Sequence, residues 1–196
     1  MRKIPTLFLR DDDDRRYVTD EVNPEARWVL EGDGIATRKY DGTCVMLDKG
    51  GRWWARREVK PGKTPPPNYR PVEHDKTTGK TVGWEPMEQS SFVKFHAEAL
   101  ERDERSWTDI PDNPGFAPGT YELVGPKING NPEGAIGHRL IPHGAFRLDV
   151  PLTDVHRHVA SLRFEGVVWH HRDGRMAKLK ARDIRPERDT TLRGMR

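Results

Sequence analysis

A single mixed domain, built from short strands joined by tight turns and from amphipathic helices, is what the sequence predicts. Three observations carry this expectation. Phe164-Glu165-Gly166-Val167-Val168-Trp169-His170 and Met176-Ala177-Lys178-Leu179-Lys180 flank Arg172-Asp173-Gly174-Arg175, whose Asp-Gly pair is a strong hairpin signal. Phe92, Phe95, Ala99 and Leu100 recur at i, i+3, i+7 and i+8, the spacing of one helix face. A length of 196 residues, 34% hydrophobic and 33% charged, suits one domain with a real core and a polar surface.

In order, the chain opens with Ile4-Pro5-Thr6-Leu7-Phe8-Leu9 and the acidic run Asp11 to Asp14. That run reads as a solvated loop, because consecutive carboxylates cannot all turn to one ion without repulsion. Asn23-Pro24-Glu25 reads as a helix start, with an N-cap, a proline in the first turn and an acid at the positive dipole end. Gly32 would end that helix. Ile35 to Lys39 and Cys44 to Leu47 read as two strands joined by a tight turn, with Gly42 supplying unusual backbone angles.

Lys49-Gly50-Gly51-Arg52 reads as a hairpin loop into Trp53-Trp54-Ala55-Arg56-Arg57. From Glu58 to Pro86, with Pro65-Pro66-Pro67, the chain is expected to be loop-like: a mobile flap, a substrate loop or a disordered segment. Ser90 and Ser91 can cap a helix to about Arg105, with His96 beside its apolar stripe as a core or rim residue. Asp109 to Pro118 reads as a loop, Thr120 to Val124 as a strand, and Thr153 to Leu162 as a helix with Val155, Val159 and Leu162 inward. The stretch from Ala181 to Arg196 reads as a basic tail.

Net charge is only +3, but it is unevenly spread. Arg38 to Lys60 holds seven Lys/Arg against three Asp/Glu, and Arg172 to Arg182 holds five against one. Such clusters suit polyphosphate or a nucleic-acid backbone, and equally a merely solvated surface. One cysteine, Cys44, excludes an internal disulfide and a cysteine-built zinc site. With no apolar run near the ~20 residues of a membrane span and no signal-peptide pattern, no membrane partner is expected and the simplest location is the cytoplasm.

Four features carry the chemistry: Lys39-x-Asp41-Gly42, Glu122 in a strand, Glu165-Gly166 and Lys178-x-Lys180. A lysine is a nucleophile when its surroundings lower its pKa from about 10.4 towards neutrality. Alone, Lys-x-Asp-Gly fits an ordinary solvated hairpin turn as well. In a strand Lys178 and Lys180 share a face, where two ammonium groups repel unless an anion such as a nucleotide phosphate lies over them. Glu122 and Glu165 would then meet metal-held waters or ribose hydroxyls.

In this order the features resemble the covalent lysyl-nucleotidyltransferase superfamily, the ATP-dependent RNA and DNA ligases and the capping enzymes. Lys39-Tyr40-Asp41-Gly42, Tyr121-Glu122-Leu123-Val124-Gly125, Glu165-Gly166-Val167-Val168 and Lys178-Leu179-Lys180 look like its nucleotidylation, third, fourth and fifth motifs. Asn129-Gly-Asn-Pro, Leu140-Ile-Pro-His-Gly and Glu165-Gly-Val-Val-Trp-His are similar to the small 5′-to-3′ RNA ligases also found in vertebrates.

The resemblance implies an α+β fold, antiparallel sheets with flanking helices around an ATP groove. It implies that Lys39 attacks the α-phosphorus of ATP, releasing pyrophosphate and forming a lysyl-AMP. The AMP then passes to an RNA 5′-phosphate, and a 3′-hydroxyl displaces it. Asp41 would fix the lysine turn and assist the last step. Thr37, Arg38, Gly42, Glu122, Glu165, Lys178 and Lys180 are the expected nucleotide contacts, joined by Arg56 or Arg57, between which the sequence does not choose. Phe146 is the candidate to stack on adenine, or else a core residue. Mg²⁺ or Mn²⁺ is expected on Glu122 and Glu165. His138, His143, His170 and His171 receive no role, since the family's motifs include no histidine. The sixteen residues after Lys180 leave no room for the OB domain of DNA ligases and capping enzymes, so a bare nucleotidyltransferase domain is expected. A DNA ligase or capping-type enzyme, or a non-catalytic basic nucleic-acid binder, is the alternative; no obligate protein partner is evident.

Overall fold

The computed structural model describes residues 2–107 and 115–186. Eleven strands run in chain order: β1 Phe8–Arg10, β2 Val18–Val22, β3 Ile35–Lys39, β4 Thr43–Leu47, β5 Trp53–Val59, β6 Arg70–Asp75, β7 Lys80–Pro86, β8 Gly119–Val124, β9 Arg139–Pro142, β10 Gly166–His170 and β11 Met176–Lys180. Two α-helices, α1 Val93–Trp107 and α2 Val155–Ala160, and four short 3₁₀ turns complete the described elements. All pairings between these strands are antiparallel, so the fold is α+β. The chain divides into two compact units, one comprising Ile4–Lys39 and Arg147–Arg196, the other Met1–Lys3 and Tyr40–Phe146.

The first unit holds the two-stranded sheet β1-β2 and the three-stranded sheet β11-β10-β3. Strand alternation sends Ala36, Val167, Trp169, Ala177 and Leu179 to one face, where they pack with Leu7, Trp28, Val29, Val155 and Val159. Each valine or leucine among them contributes ~1.5–3 kcal/mol when fully withdrawn from water. The helix expected from Asn23 forms as a 3₁₀ turn, Pro24–Val29, with the Asn23 side chain accepting from the Glu25 backbone N–H. The acidic run stays a surface loop: Asp12 and Asp13 are exposed, Asp11 accepts from backbone amides, and Asp14 is held by Arg16.

The second unit is the six-stranded sheet β6-β7-β5-β4-β8-β9 with α1 packed against it. Val45, Leu47, Ala55, Tyr121 and Leu123 point to the α1 side and meet Phe92, Phe95, Ala99 and Leu100, the stripe read from the sequence. His96 lies edge-on to Trp53 at 4.6 Å, and burial pushes its pKa down to about 4. It is a core histidine.

Two expectations require correction. The segment Glu58 to Pro86 is largely sheet: β5 runs to Val59, and β6 and β7 form a hairpin about Lys76 to Gly79. The β-favouring residues Thr81, Val82 and Trp84 outweigh the scattered glycines; four of the prolines lie at 61–67, while Pro71 sits in the edge strand β6 beside a register irregularity and Pro86 ends β7. The strands either side of the lysine turn are also not a hairpin. β3 lies in the three-stranded sheet and β4 in the six-stranded one, and the unit boundary falls between Lys39 and Tyr40. Nor does Gly42 take a left-handed φ. Its need is space: a Cβ there would lie 2.3 Å from the Leu123 carbonyl oxygen and 2.9 Å from Glu122 Cγ.

Candidate functional site

In the first unit the site is built by register. Gly166 on β10 lies opposite Lys39 on one side and Lys180 on the other, and Val168 lies opposite Thr37 and Lys178. Directly opposed residues share a face, so Thr37, Lys39, Lys178 and Lys180 form two rows on the face away from the core. Glu165 precedes the strand and completes the cluster. Its Oε2 accepts from Lys39 Nζ at 2.6 Å and its Oε1 from Lys180 Nζ at 2.5 Å. Arg182 reaches the same Oε1 at 3.9 Å. Gly166 permits this: its φ of +151° is open to glycine, and a Cβ would sit 2.2 Å from the Leu179 carbonyl oxygen.

Electrostatics follow from the crowding. Burial pushes the Glu165 carboxyl up, but the Lys39 charge and the hydrogen bonds from Lys180 and Lys39 outweigh it, leaving a carboxylate that titrates below its ordinary range. Burial, then the charges of Lys180 and Lys39, bring Lys178 down to about 8. Behind it, Thr37 is buried, donates to the Val168 carbonyl at 3.1 Å, and meets His170 Nε2 at 3.0 Å. Arg38 is not with them. It alternates to the other face of β3 and lies 4.7 Å from the Phe164 ring centre.

In the second unit a polar group surrounds the start of β4. Glu122 Oε1 accepts the Gly42 backbone N–H at 3.0 Å, and its Oε2 lies 2.8 Å from His143 Nε2. His143 Nδ1 lies 2.9 Å from Thr120 Oγ1. Asp41 is fixed through both ends: its backbone N–H donates to Glu133 Oε1 at 2.8 Å, and its carboxylate accepts from Asn129 Nδ2 at 3.1 Å. The same Asn129 amide donates to the Gly42 carbonyl at 2.8 Å. Cys44 sits opposite Glu122 across the β4–β8 ladder.

The register also separates the two arginines. Arg56 follows Trp54 on the face carrying Cys44 and Glu122, is half-buried, and has a buried Nε without a protein hydrogen bond. Arg57 is exposed and alternates to the opposite face. Phe146 is 55% exposed, so it is no core residue.

Sequence reading had given no role to His143, Asn129, Glu133 or Thr120. Asn129 and His143 did lie in stretches that resemble the small RNA ligases, which was the only available signal. The basic tail's residues 187–196 and the loop residues 108–114 lie outside the described residues. Among the described residues no helix is long and apolar enough to cross a membrane.

Comparison with known proteins bears on the class of chemistry. No protein-family model matches the chain. The chain is similar to RNA ligase 1 of Mus musculus and of Rattus norvegicus, 26% identical to each over 212 residues, covering 74% of this chain. It is similar to RNA ligase 1 of Pongo abelii at 32% identity over 139 residues, covering 57% of this chain and 42% of that protein. The chain spans 65% of the length of the mouse and rat proteins. These likenesses support an RNA ligase family.

Proposed function

We propose that this protein is an ATP-dependent RNA ligase of the lysyl-nucleotidyltransferase class, with Lys39 as the nucleophile. The observation that carries the reading is the cluster Lys39, Glu165, Lys178 and Lys180, set by strand register on one face of a sheet. Three amines around one carboxylate form a polyanion site with a nucleophile inside it. The relatives named RNA ligase 1 supply the class of acceptor.

Lys39 donates to Glu165, so it must hand its proton on before it can attack. The free amine then attacks the α-phosphorus of ATP: a P–N bond forms, the bond to the β-phosphate oxygen breaks, and pyrophosphate leaves. Lys178 and Lys180 stabilise the charge that develops on the phosphate oxygens, the largest contribution such a site makes. Arg56, rather than Arg57, is proposed for the nucleotide, with Thr37 bracing the face and exposed Phe146 available to stack on a base. In the second step an oxygen of an RNA 5′-phosphate displaces Lys39 from the AMP. In the third, a 3′-hydroxyl attacks that phosphate and AMP departs, with Asp41, fixed by Asn129 and Glu133, as the carboxylate for this attack.

A divalent ion is part of the reading. Glu122 fits it through Oε2, which faces the His143 ring rather than a lysine, as one carboxylate of the kind Mg²⁺ or Mn²⁺ takes beside phosphate oxygens and water. Glu165 does not fit in this arrangement, because both its oxygens are held by lysines. When bound, such an ion neutralises phosphate charge.

The test is incubation with α-labelled ATP and Mg²⁺ followed by denaturation. Label should remain on the polypeptide and vanish in Lys39→Ala. A basic RNA-binding protein without this chemistry would retain none.

A further inference from the structure

We propose that Cys44, Glu122 and His143 form a binding site for a borderline-soft divalent cation of the zinc type. One ligand atom from each, the Cys44 Sγ, a Glu122 carboxylate oxygen and a His143 ring nitrogen, lies within 4.8 Å of the others. All three belong to the six-stranded unit. Cys44 and Glu122 are opposed across β4 and β8, and His143 follows β9, the next strand in the sheet. Two adjacent strands and the residue just after a third thus each contribute one ligand.

The donor set decides the class of ion. A tetrahedral zinc centre with a Zn–S bond of about 2.3 Å and a Zn–N bond of about 2.0 Å places sulfur and nitrogen about 3.5 Å apart, inside the spread found here. Thiolate and imidazole select zinc-like ions, whereas Mg²⁺ demands an octahedron of oxygens. Three protein ligands leave a fourth position open for water or a ligand.

The surroundings are those of a metal site. Thr120 Oγ1 holds His143 Nδ1 at 2.9 Å, leaving Nε2 as the atom beside Glu122 Oε2. The Gly42 backbone N–H holds Glu122 Oε1, leaving Oε2 for the ion. Such outer partners fix the orientation of ligands and typically change metal affinity 10–100-fold when removed. Without metal, His143 Nε2 and Glu122 Oε2 hold each other. A cation takes the place of that contact, bound by the imidazole tautomer that carries its proton on Nδ1, and the Cys44 thiol proton leaves to solvent. Cys44 is buried and lies where sequence reading found no use for it. Glu122 is common to this site and to the proposed ATP chemistry, but the cation needs neither ATP nor RNA.

The experiment titrates the purified protein with Zn²⁺ by calorimetry and with Co²⁺ by absorption, in the absence of nucleotide. Expected are one ion per chain, a thiolate-to-cobalt charge-transfer band, and no comparable heat with Mg²⁺. Cys44→Ser should lose the band and bind Zn²⁺ at least tenfold more weakly. His143→Gln, at a partly exposed position that does not threaten folding, should weaken Zn²⁺ by a similar factor, and Thr120→Val about tenfold. A Co²⁺ spectrum without thiolate character overturns the proposal, as does unchanged Zn²⁺ affinity in a folded Cys44→Ser or His143→Gln. Failure of self-adenylation in the wild type would leave the titration untouched, so the two readings fail separately.

Discussion

Glu165 Oε2 lies 2.6 Å from Lys39 Nζ, and the other oxygen of the same carboxylate holds Lys180. One buried carboxylate therefore fixes the nucleophile and one of its cationic neighbours together. Lys39→Arg keeps that ion pair and the positive charge, but a guanidinium cannot be deprotonated in a protein. It should abolish label transfer as fully as Lys39→Ala while leaving the melting temperature near wild type. Label on the arginine variant would place the nucleophile elsewhere.

Glu165→Gln tests the other half of the pair. It leaves three amines facing one another without an anion, at a site where Glu165 is 5% exposed and Lys39 20%. Loss of one partner of a buried pair should cost about 3 kcal/mol at neutral pH. The sign with pH is fixed by the lowered carboxyl. Its contribution is present above the ordinary carboxylate range and is lost as pH falls through the lowered folded value. Wild type should therefore lose stability towards acid, and the glutamine variant should lose less over the same range, read by urea unfolding at several pH values.

Lys178 gives the same sign in a higher pH window. Its ordinary value of 10.5 is brought down to about 8. Between these values the unfolded chain binds the extra proton, so this group adds stability as pH rises through that window. Phosphate binding needs the charged form. ATP affinity should therefore weaken above about pH 8, by up to about tenfold per pH unit. Lys178→Arg should flatten this dependence, and Lys178→Ala and Lys180→Ala should each slow single-turnover adenylation by roughly 10²–10³-fold. A slowing under about fivefold in both would remove the pair from the chemistry, since exposed charges are worth under about 1 kcal/mol.

Gly42→Ala should destabilise the protein and disorder the lysine turn, because the added methyl meets a backbone carbonyl that cannot step aside. Overpacking of this kind typically costs about 1–3 kcal/mol. Adenylation should fall more than stability does, as Glu122 and Asp41 lose their common anchor. A wild-type rate in this variant would show that the close approach is not needed.

For acceptor choice, RNA strands with 5′-phosphate and 3′-hydroxyl ends should be joined and all-DNA strands joined poorly, a 2′-hydroxyl being the readable difference. Contacts from Arg52 to Lys60 and from Arg182 onward would be to phosphates, so sealing should weaken with salt while self-adenylation changes less. Equal sealing of matched RNA and DNA nicks would sink the RNA assignment and leave the adenylation chemistry standing.

How far the sequence showed this differs from element to element. The β10–β11 hairpin was legible because Asp173-Gly174 can make few other turns, and alternation then placed Lys178 and Lys180 on one face. The stripe of α1 was legible for the same kind of reason, a period that only one structure uses. Gly42 was misread because glycine has two uses, φ freedom and lack of a Cβ, and only the neighbouring Leu123 tells them apart. The β6–β7 hairpin was hidden by the prolines before it and by Pro71 within it, which an edge strand tolerates. The pairing of His143 with Glu122 could not be read at all, since nothing local couples residues on neighbouring strands across 21 positions.

The opposition of Gly166 to both Lys39 and Lys180 has a genetic consequence. Side chains alternate along β11, so the parity of its alignment with β10 decides whether Lys178 and Lys180 face outward or trade places with Ala177 and Leu179. That parity is set at Asp173-Gly174, the far end of the hairpin from the lysines. In an insertion scan of this turn, one added residue should silence adenylation, whereas two should preserve the facing and part of the activity. The chemistry at one end of the sheet is thus counted out, residue by residue, at the other.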